Sequence, residues 1–149
     1  MKLTSFQFFL APEAREKGIV FKAPRASDAG FDLASLDDVV VPPGGPHLLR
    51  TGIHLAIPEG FVGLVRDRSS MALKGLATVA GVIDASYRGE VKIVLHNLSA
   101  TPLEIKSGER IAQCVVVPHF VAEVAEEVSS LEQLGTTERG AGGFGSTGR

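Results

Sequence analysis

Cysteine is almost missing from this sequence. Of 149 residues only Cys114 is one, and it opens the apolar run Cys114-Val115-Val116-Val117. A lone thiol closes no internal disulfide, so the fold must stand on its core, and Cys114 is expected to be a small buried hydrophobe. Tryptophan is absent, and Tyr87 is the one tyrosine. A basic excess is missing too: 15 Lys and Arg stand against 17 Asp and Glu, a net charge of −2. Duplex binders need the opposite balance to meet phosphates, so direct nucleic-acid binding is not expected. Any phosphate chemistry must come from a local site. No stretch approaches the ~20 apolar residues of a membrane span. Met1-Lys2-Leu3-Thr4-Ser5-Phe6 has neither the apolar core nor the cleavage site of a signal peptide. No membrane contact and a cytoplasmic location are therefore expected. The four histidines, His47, His54, His96 and His119, show no metal-ligand spacing.

What is present suits one domain over residues 1–149, with 44 % apolar and 21 % charged residues. Short β-like runs alternate with turn signals. Val39-Val40-Val41 ends at the breaker Pro42-Pro43-Gly44-Gly45-Pro46. Ile53, Leu55 and Ile57 alternate with His54 and Ala56 up to the Pro58-Glu59-Gly60 turn, and 61–65 reads as the next strand. Val91, Ile93 and Leu95 alternate with Lys92, Val94 and His96. Residues 111–117 are nearly all apolar, as in a strand covered on both faces. The pattern predicts an all-β sandwich or barrel. One short helix is expected, capped by Ser69, running through Met71-Ala72-Leu73-Lys74 and stopping at Gly75. Val121, Val124, Val128 and Leu131 have helical spacing, but valine favours strands. A strand to about residue 128 and then a short turn are expected. Residues 1–138 form the expected β core, and the glycine-rich 139–149 reads by composition as a flexible tail.

Several clusters carry possible chemistry, each with a plain alternative. Arg68-Ser69-Ser70 at a helix start offers backbone N–H groups, a cation and two hydroxyls for a phosphate. Alone it is more often an ordinary capped turn. Gly81-Val82-Ile83-Asp84 leads into a hairpin whose carboxylate could accept a proton from water, with Tyr87 near its tip. Alone, Asp and Gly are simply turn formers. Asp32 lies between apolar neighbours and Gln113 in an apolar strand, so each needs a partner, from backbone or ligand. The tail carries Arg139, Phe144, Ser146 and Thr147; it could close over a ligand, or be only disordered.

Together these pieces resemble the trimeric dUTPase family across nearly the whole chain. Its five ordered motifs appear as Ala29-Gly30-Phe31-Asp32-Leu33, Arg68-Ser69-Ser70-Met71-Ala72-Leu73-Lys74-Gly75, Gly81-Val82-Ile83-Asp84 with Tyr87-Arg88-Gly89-Glu90, Glu109-Arg110-Ile111-Ala112-Gln113, and Arg139-Gly140 through Gly143-Phe144-Gly145-Ser146-Thr147-Gly148. The resemblance implies a jelly-roll-like β fold and a homotrimer, with active sites drawn from three subunits and closed by a C-terminal arm. It implies hydrolysis of dUTP to dUMP and pyrophosphate, limiting uracil in DNA and supplying dUMP for dTMP synthesis. Asp84 would be the base that deprotonates the water attacking the α-phosphorus. Tyr87 would lie under the deoxyribose and reject a 2′-hydroxyl. Backbone groups of Gly81, Val82, Ile83 and Asp84, and near Lys92, would read the uracil edge. Arg68, Ser69, Ser70 and Gln113 would hold phosphates. Arg139, Phe144, Gly145, Ser146 and Thr147 would form the lid, Phe144 stacking on uracil. Magnesium would ride on the triphosphate with mostly water as its other ligands, touching Asp32 at most through water.

Two positions depart from the family pattern. Ser86 stands where a second acidic residue is common, and Ser70 where glycine is common. Three rivals remain. A sibling dCTP deaminase would need a glutamate in the strand after the hairpin, but Val91-Lys92-Ile93-Val94-Leu95 has no carboxylate. A regulatory nucleotide-binding module would bind without turnover. A purely structural sandwich leaves the arginine- and phenylalanine-bearing tail without a reason.

Overall fold

Alternation decides most strands. In the computed structural model, which describes residues 6–22, 24–25, 27–120 and 125–138, Ile53 and Leu55 point fully inward while His54 and Ala56 are half-exposed. Among the described residues the order is β1 (Gln7–Leu10), α1 (Pro12–Glu16), β2 (Phe31–Ala34), β3 (Val39–Val41), β4 (Gly44–Leu49), β5 (Ile53–Ala56), β6 (Phe61–Asp67), α2 (Ser69–Leu73), β7 (Leu76–Thr78), β8 (Val82–Ile83), β9 (Ile93–Asn97), β10 (Leu103–Ile105), β11 (Arg110–Pro118) and a 3-10 turn at Leu131–Leu134. The strands form a four-stranded sheet β2-β11-β6-β8, a three-stranded sheet β4-β9-β7, and two pairs, β1-β5 and β10-β3. All pairings are antiparallel. This is the expected jelly-roll-like β fold. One core joins the sheets, with Leu33, Leu49, Ile53, Ile93, Ile105 and Ile111 at its centre. Cys114 is buried within it, and burial pushes its thiol up to about 11, where it is an inert hydrophobe.

The structure corrects the sequence reading at five places. Among the described residues there are two short α-helices, not one: Pro12 at the first helical positions and Glu13 in the first turn start α1. The breaker after Val41 also begins a strand, because a bulge between Gly44 and His47 absorbs Gly45 and Pro46. Ser69 is not the cap of α2: Arg68 holds that position, extended, and no side chain caps the helix. Gly75 does end that turn, its φ of 90° taking the chain out of the helix. Residues 111–117 are not covered on both faces, since Val115, Val116 and Val117 are only half-buried in the single chain. Residues 125–128 form no strand, and 121–124 lie outside the described residues.

One buried polar residue pins two sheets and a turn. Asn97 is 1 % exposed. Its Nδ2 donates to the carbonyls of Val41 and Thr101, both at 2.9 Å. Its Oδ1 accepts from the Ser99 amide at 2.9 Å and the Ser99 hydroxyl at 2.7 Å. Asn97→Ala takes a donor from the buried Val41 carbonyl and frees the turn. It is expected to cost about 2 to 4 kcal/mol. Urea denaturation measures this, and a loss under about 0.5 kcal/mol would mean that water replaces the bonds.

Candidate active site

The sheet register brings the first, second and fourth motifs together. Asp32 on β2, Gln113 on β11 and Arg66 on β6 stand opposite one another. Directly opposed side chains share a face. The next row, Phe31, Cys114 and Val65, points toward the core. From the outward row, Asp32 and Gln113 open onto a cleft of about 1200 Å³. Four cationic side chains, Lys22, Arg25, Arg68 and Arg110, line it against Asp28 and Asp32. Ser69 and Ser70 line it too, exposed at the start of α2.

Asp32 organises the two arginines. Its Oδ1 is 2.8 Å from Arg68 Nε, and its Oδ2 accepts from Arg110 Nη1 at 3.0 Å. Arg68 Nη1 also donates to the Arg110 carbonyl at 3.1 Å. The Arg68 fork is thus held at two points, with the rest of its face toward the cleft. Gln113 Nε2 donates to the Asp67 carbonyl at 3.0 Å. Asp67 is fixed in turn, its Oδ1 accepting from the Thr78 amide at 2.6 Å and hydroxyl at 2.7 Å.

The third motif is elsewhere. Gly81, with φ 142°, passes its carbonyl to the Val65 amide at 2.7 Å, and a Cβ there would lie 2.5 Å from Val65 Cβ. Val82 and Ile83 pair with Leu64 and Gly63. Ile83 is buried and Val82 is exposed. β7 and β9 pair antiparallel, so the chain between them is a long hairpin loop; on it Asp84 is exposed, at a turn closed by the Tyr87 amide on the Asp84 carbonyl at 3.0 Å. Tyr87 is 44 % exposed, and its hydroxyl donates to the Glu90 carbonyl at 2.9 Å. Lys92 is exposed just before β9.

Register measures the separation. β8 runs antiparallel to β6, so Asp84 continues toward Val62 while Arg68 lies past the other end. Six residues of strand span roughly 20 Å. A general base must stand within about 3 Å of its water. One chain therefore brings Arg68, Ser69, Ser70, Gln113 and Asp32 to one cleft, but places Asp84 and Tyr87 away from it. The expectations for Arg139, Phe144, Gly145, Ser146 and Thr147 lie outside the described residues.

Sequence reasoning assigned no role to Arg110, Asp67 or Glu90. Arg110 and Glu90 stood inside the motifs, but their partners are remote in sequence. Asp67 lies between two arginines, and the partner that fixes it, Thr78, is on another strand.

A jelly-roll-like β domain carrying a cationic cleft of this kind suits small phosphorylated ligands. The dUTPase family model matches residues 16–148. The chain is 47 % identical over 149 residues to the deoxyuridine 5'-triphosphate nucleotidohydrolase of Candida albicans, covering 99 % of this chain and 92 % of that one. It is 52 % identical over 126 residues to the enzyme of that name from Corynebacterium jeikeium, covering 82 % and 81 %. A solved dUTPase mutant of Staphylococcus bacteriophage 80alpha with dUpNHpp superposes with a TM-score of 0.84 at 30 % identity, over 99 % of this chain and 100 % of that one. A mutant dUTPase of phage phi11 of S. aureus, solved for the coordination of a structural Mg(II) ion, has a TM-score of 0.76 at 26 % identity, over 87 % and 99 %. The protein belongs to the dUTPase family.

The hairpin's base predicts a pH effect. Burial opposes the charge of Glu90, but the Gly52 amide and the Arg50 guanidinium outweigh it and hold the carboxyl below its ordinary value of 4.5. A depressed carboxyl stabilises the fold above its unfolded value and loses that contribution as pH falls through the folded one. Glu90→Gln should therefore cost about 1 to 2 kcal/mol at pH 7, shrinking below pH ~4.5. Urea denaturation at pH 7 and pH 4 tests this; equal costs at both would contradict it.

Proposed function

We propose that the protein hydrolyses dUTP to dUMP and pyrophosphate at sites shared between three copies of the chain. The observation that carries this reading is the separation of the Arg68 cleft from the Asp84 hairpin along β6. Each half is well formed and neither is complete. A neighbouring copy's hairpin supplies what the cleft lacks, and the half-buried Val115, Val116 and Val117 give copies an apolar surface to meet on.

In this reading the triphosphate lies in the cleft, on Arg68, the Ser69 and Ser70 hydroxyls and Gln113. Asp32 aims the Arg68 fork. Asp84 takes the proton of the water that attacks the α-phosphorus, and the α–β bridging oxygen leaves with pyrophosphate. Tyr87 lies beneath the deoxyribose and excludes a 2′-hydroxyl. Backbone groups from Gly81 to Asp84, and near Lys92, read uracil by its hydrogen-bonding edge. The arm at residues 139–149 closes the site, with Phe144 on the base, Arg139 and Gly145 shaping the arm, and Ser146 and Thr147 at the terminal phosphates. Residues 1–138 are then the core of one domain. A cytoplasmic place of action is part of the same proposal; no described helix is long and apolar enough to cross a membrane.

Magnesium fits this cleft as a substrate-borne ion. The acidic groups there, Asp28 and Asp32, are oxygen donors, which magnesium prefers, and both Asp32 oxygens already serve arginines. Among the described residues no group of three His, Cys, Asp or Glu is placed to hold a metal. When bound, the ion neutralises charge on the triphosphate and the leaving group.

Pyrophosphate release from dUTP, dCTP, dTTP and UTP with magnesium tests the activity. Release is expected from dUTP alone, and ammonia from dCTP would move the protein to the deaminase branch. Asp84→Asn should bind dUTP normally and lose a factor on the order of 10² or more in kcat; near-normal turnover removes the assigned base. Deleting residues 139–149 should keep the oligomer and cripple turnover. A sedimenting monomer that turns over dUTP would overturn the shared site.

A further inference from the structure

Glu90 has no place in the chemistry described so far, yet it is the most heavily bonded carboxylate of the hairpin. Its side chain is 13 % exposed. Its Oε1 accepts from the Gly52 amide at 2.9 Å and the Thr51 amide at 3.2 Å, and its Oε2 from Arg50 Nε at 3.2 Å. Arg50 is itself held by Glu13 of α1. Every one of these bonds goes to the link between β4 and β5. The main chain of the same residue faces the other way: the Glu90 carbonyl receives the Tyr87 hydroxyl. One residue thus joins the frame of the domain to the ring at the hairpin tip.

The rest of the hairpin leaves that ring little freedom. A Cβ on Gly89 would collide with the Tyr87 hydroxyl and ring, so the ring packs against bare backbone there. His54 Nδ1 stands 3.0 Å from the Arg88 carbonyl, and His54 bridges Glu90 in a β contact. The Arg88 guanidinium donates to the Ala85 carbonyl at 2.6 Å and the Tyr87 carbonyl at 2.8 Å. Tyr87 is tied at its amide to Asp84 and at its hydroxyl to Glu90.

We propose that Glu90 is a positioning residue that sets sugar discrimination: bonded to the amides of residues 51 and 52, it fixes the height and tilt of Tyr87. The inference rests on the reading that Tyr87 lies under the deoxyribose. A hydroxyl needs only a small gap, so a shift of the ring by about 1 Å admits a 2′-OH. Glu90 touches no substrate; it acts through Tyr87.

The test is Glu90→Gln, assayed as kcat/KM for dUTP and UTP at pH 7. The preference for dUTP is expected to fall about tenfold, through a gain on UTP as well as a loss on dUTP. Tyr87 is the one tyrosine of a chain without tryptophan, so tyrosine emission reports this ring alone. Its anisotropy should fall in Glu90→Gln. Glu13→Gln removes the outer ion pair of Arg50 and serves as the control, lowering the melting temperature without moving preference or anisotropy. If Glu90→Gln behaves like that control, its role is structural and the inference is overturned. Should Glu90→Gln fail to fold, Arg50→Lys weakens the same anchor, and an unchanged preference there overturns it equally. A Tyr87→Ala variant that still rejects UTP would remove the underlying reading of Tyr87 instead.

Discussion

The antiparallel pairing of β6 with β11 is the constraint on which the rest depends. It runs without interruption from Ala112 opposite Asp67 to Pro118 opposite Phe61. Seven consecutive partners leave no room for slippage, because a shift of one residue would turn Cys114 and Val65 outward and Gln113 inward. That register places Gln113 beside Asp67 and Arg68 at one end of β6. It also leaves the other edge of β6 free to take β8, whose direction carries Asp84 away. Both halves of the proposed site are therefore set by one ladder of backbone hydrogen bonds.

Charge is handled differently in the two halves. In the cleft a half-exposed acid, Asp32, is shared by the exposed Arg110 and the partly buried Arg68. Such exposed pairs add little stability. Their effect is geometric, since a fork held on one side presents its other donors in a fixed direction. At the hairpin the carboxylate of Glu90 is mostly sheltered and bound by backbone amides as well as an arginine. There the bonds do contribute to folding, and they hold the carboxyl below its ordinary value.

Much of the fold was legible because the decisive signals are local. The period of two at Ile53, Leu55, Ile93 and Leu95 reads directly as half-buried strands. Gly81 and Gly89 mark a hairpin where backbone must come close to Val65 and Tyr87. Other signals were local but competed. Pro12 and Glu13 announce a helix, yet five residues give too short a pattern to stand out from loop. The Pro and Gly run after Val41 reads as a stop, because a bulge that lets a strand pass through it shows only against the partner strand. Ser69 is a better cap than Arg68 by propensity, but the extended backbone of Arg68, which sends its side chain to Asp32, takes the position. What sequence alone could not supply was distance. Motifs two and three are neighbours along the chain, and only the order β11-β6-β8 shows that they diverge.

That divergence changes what a damaged copy means. In the proposed assembly, a chain whose hairpin lacks its carboxylate still lends a sound cleft to a neighbour, and a chain with a spoiled cleft still lends a sound hairpin. In a cell carrying two alleles, lesions in different halves would partly make good one another. Two lesions in the same half would not. Inheritance would follow the geometry of one strand, rather than the severity of either lesion alone.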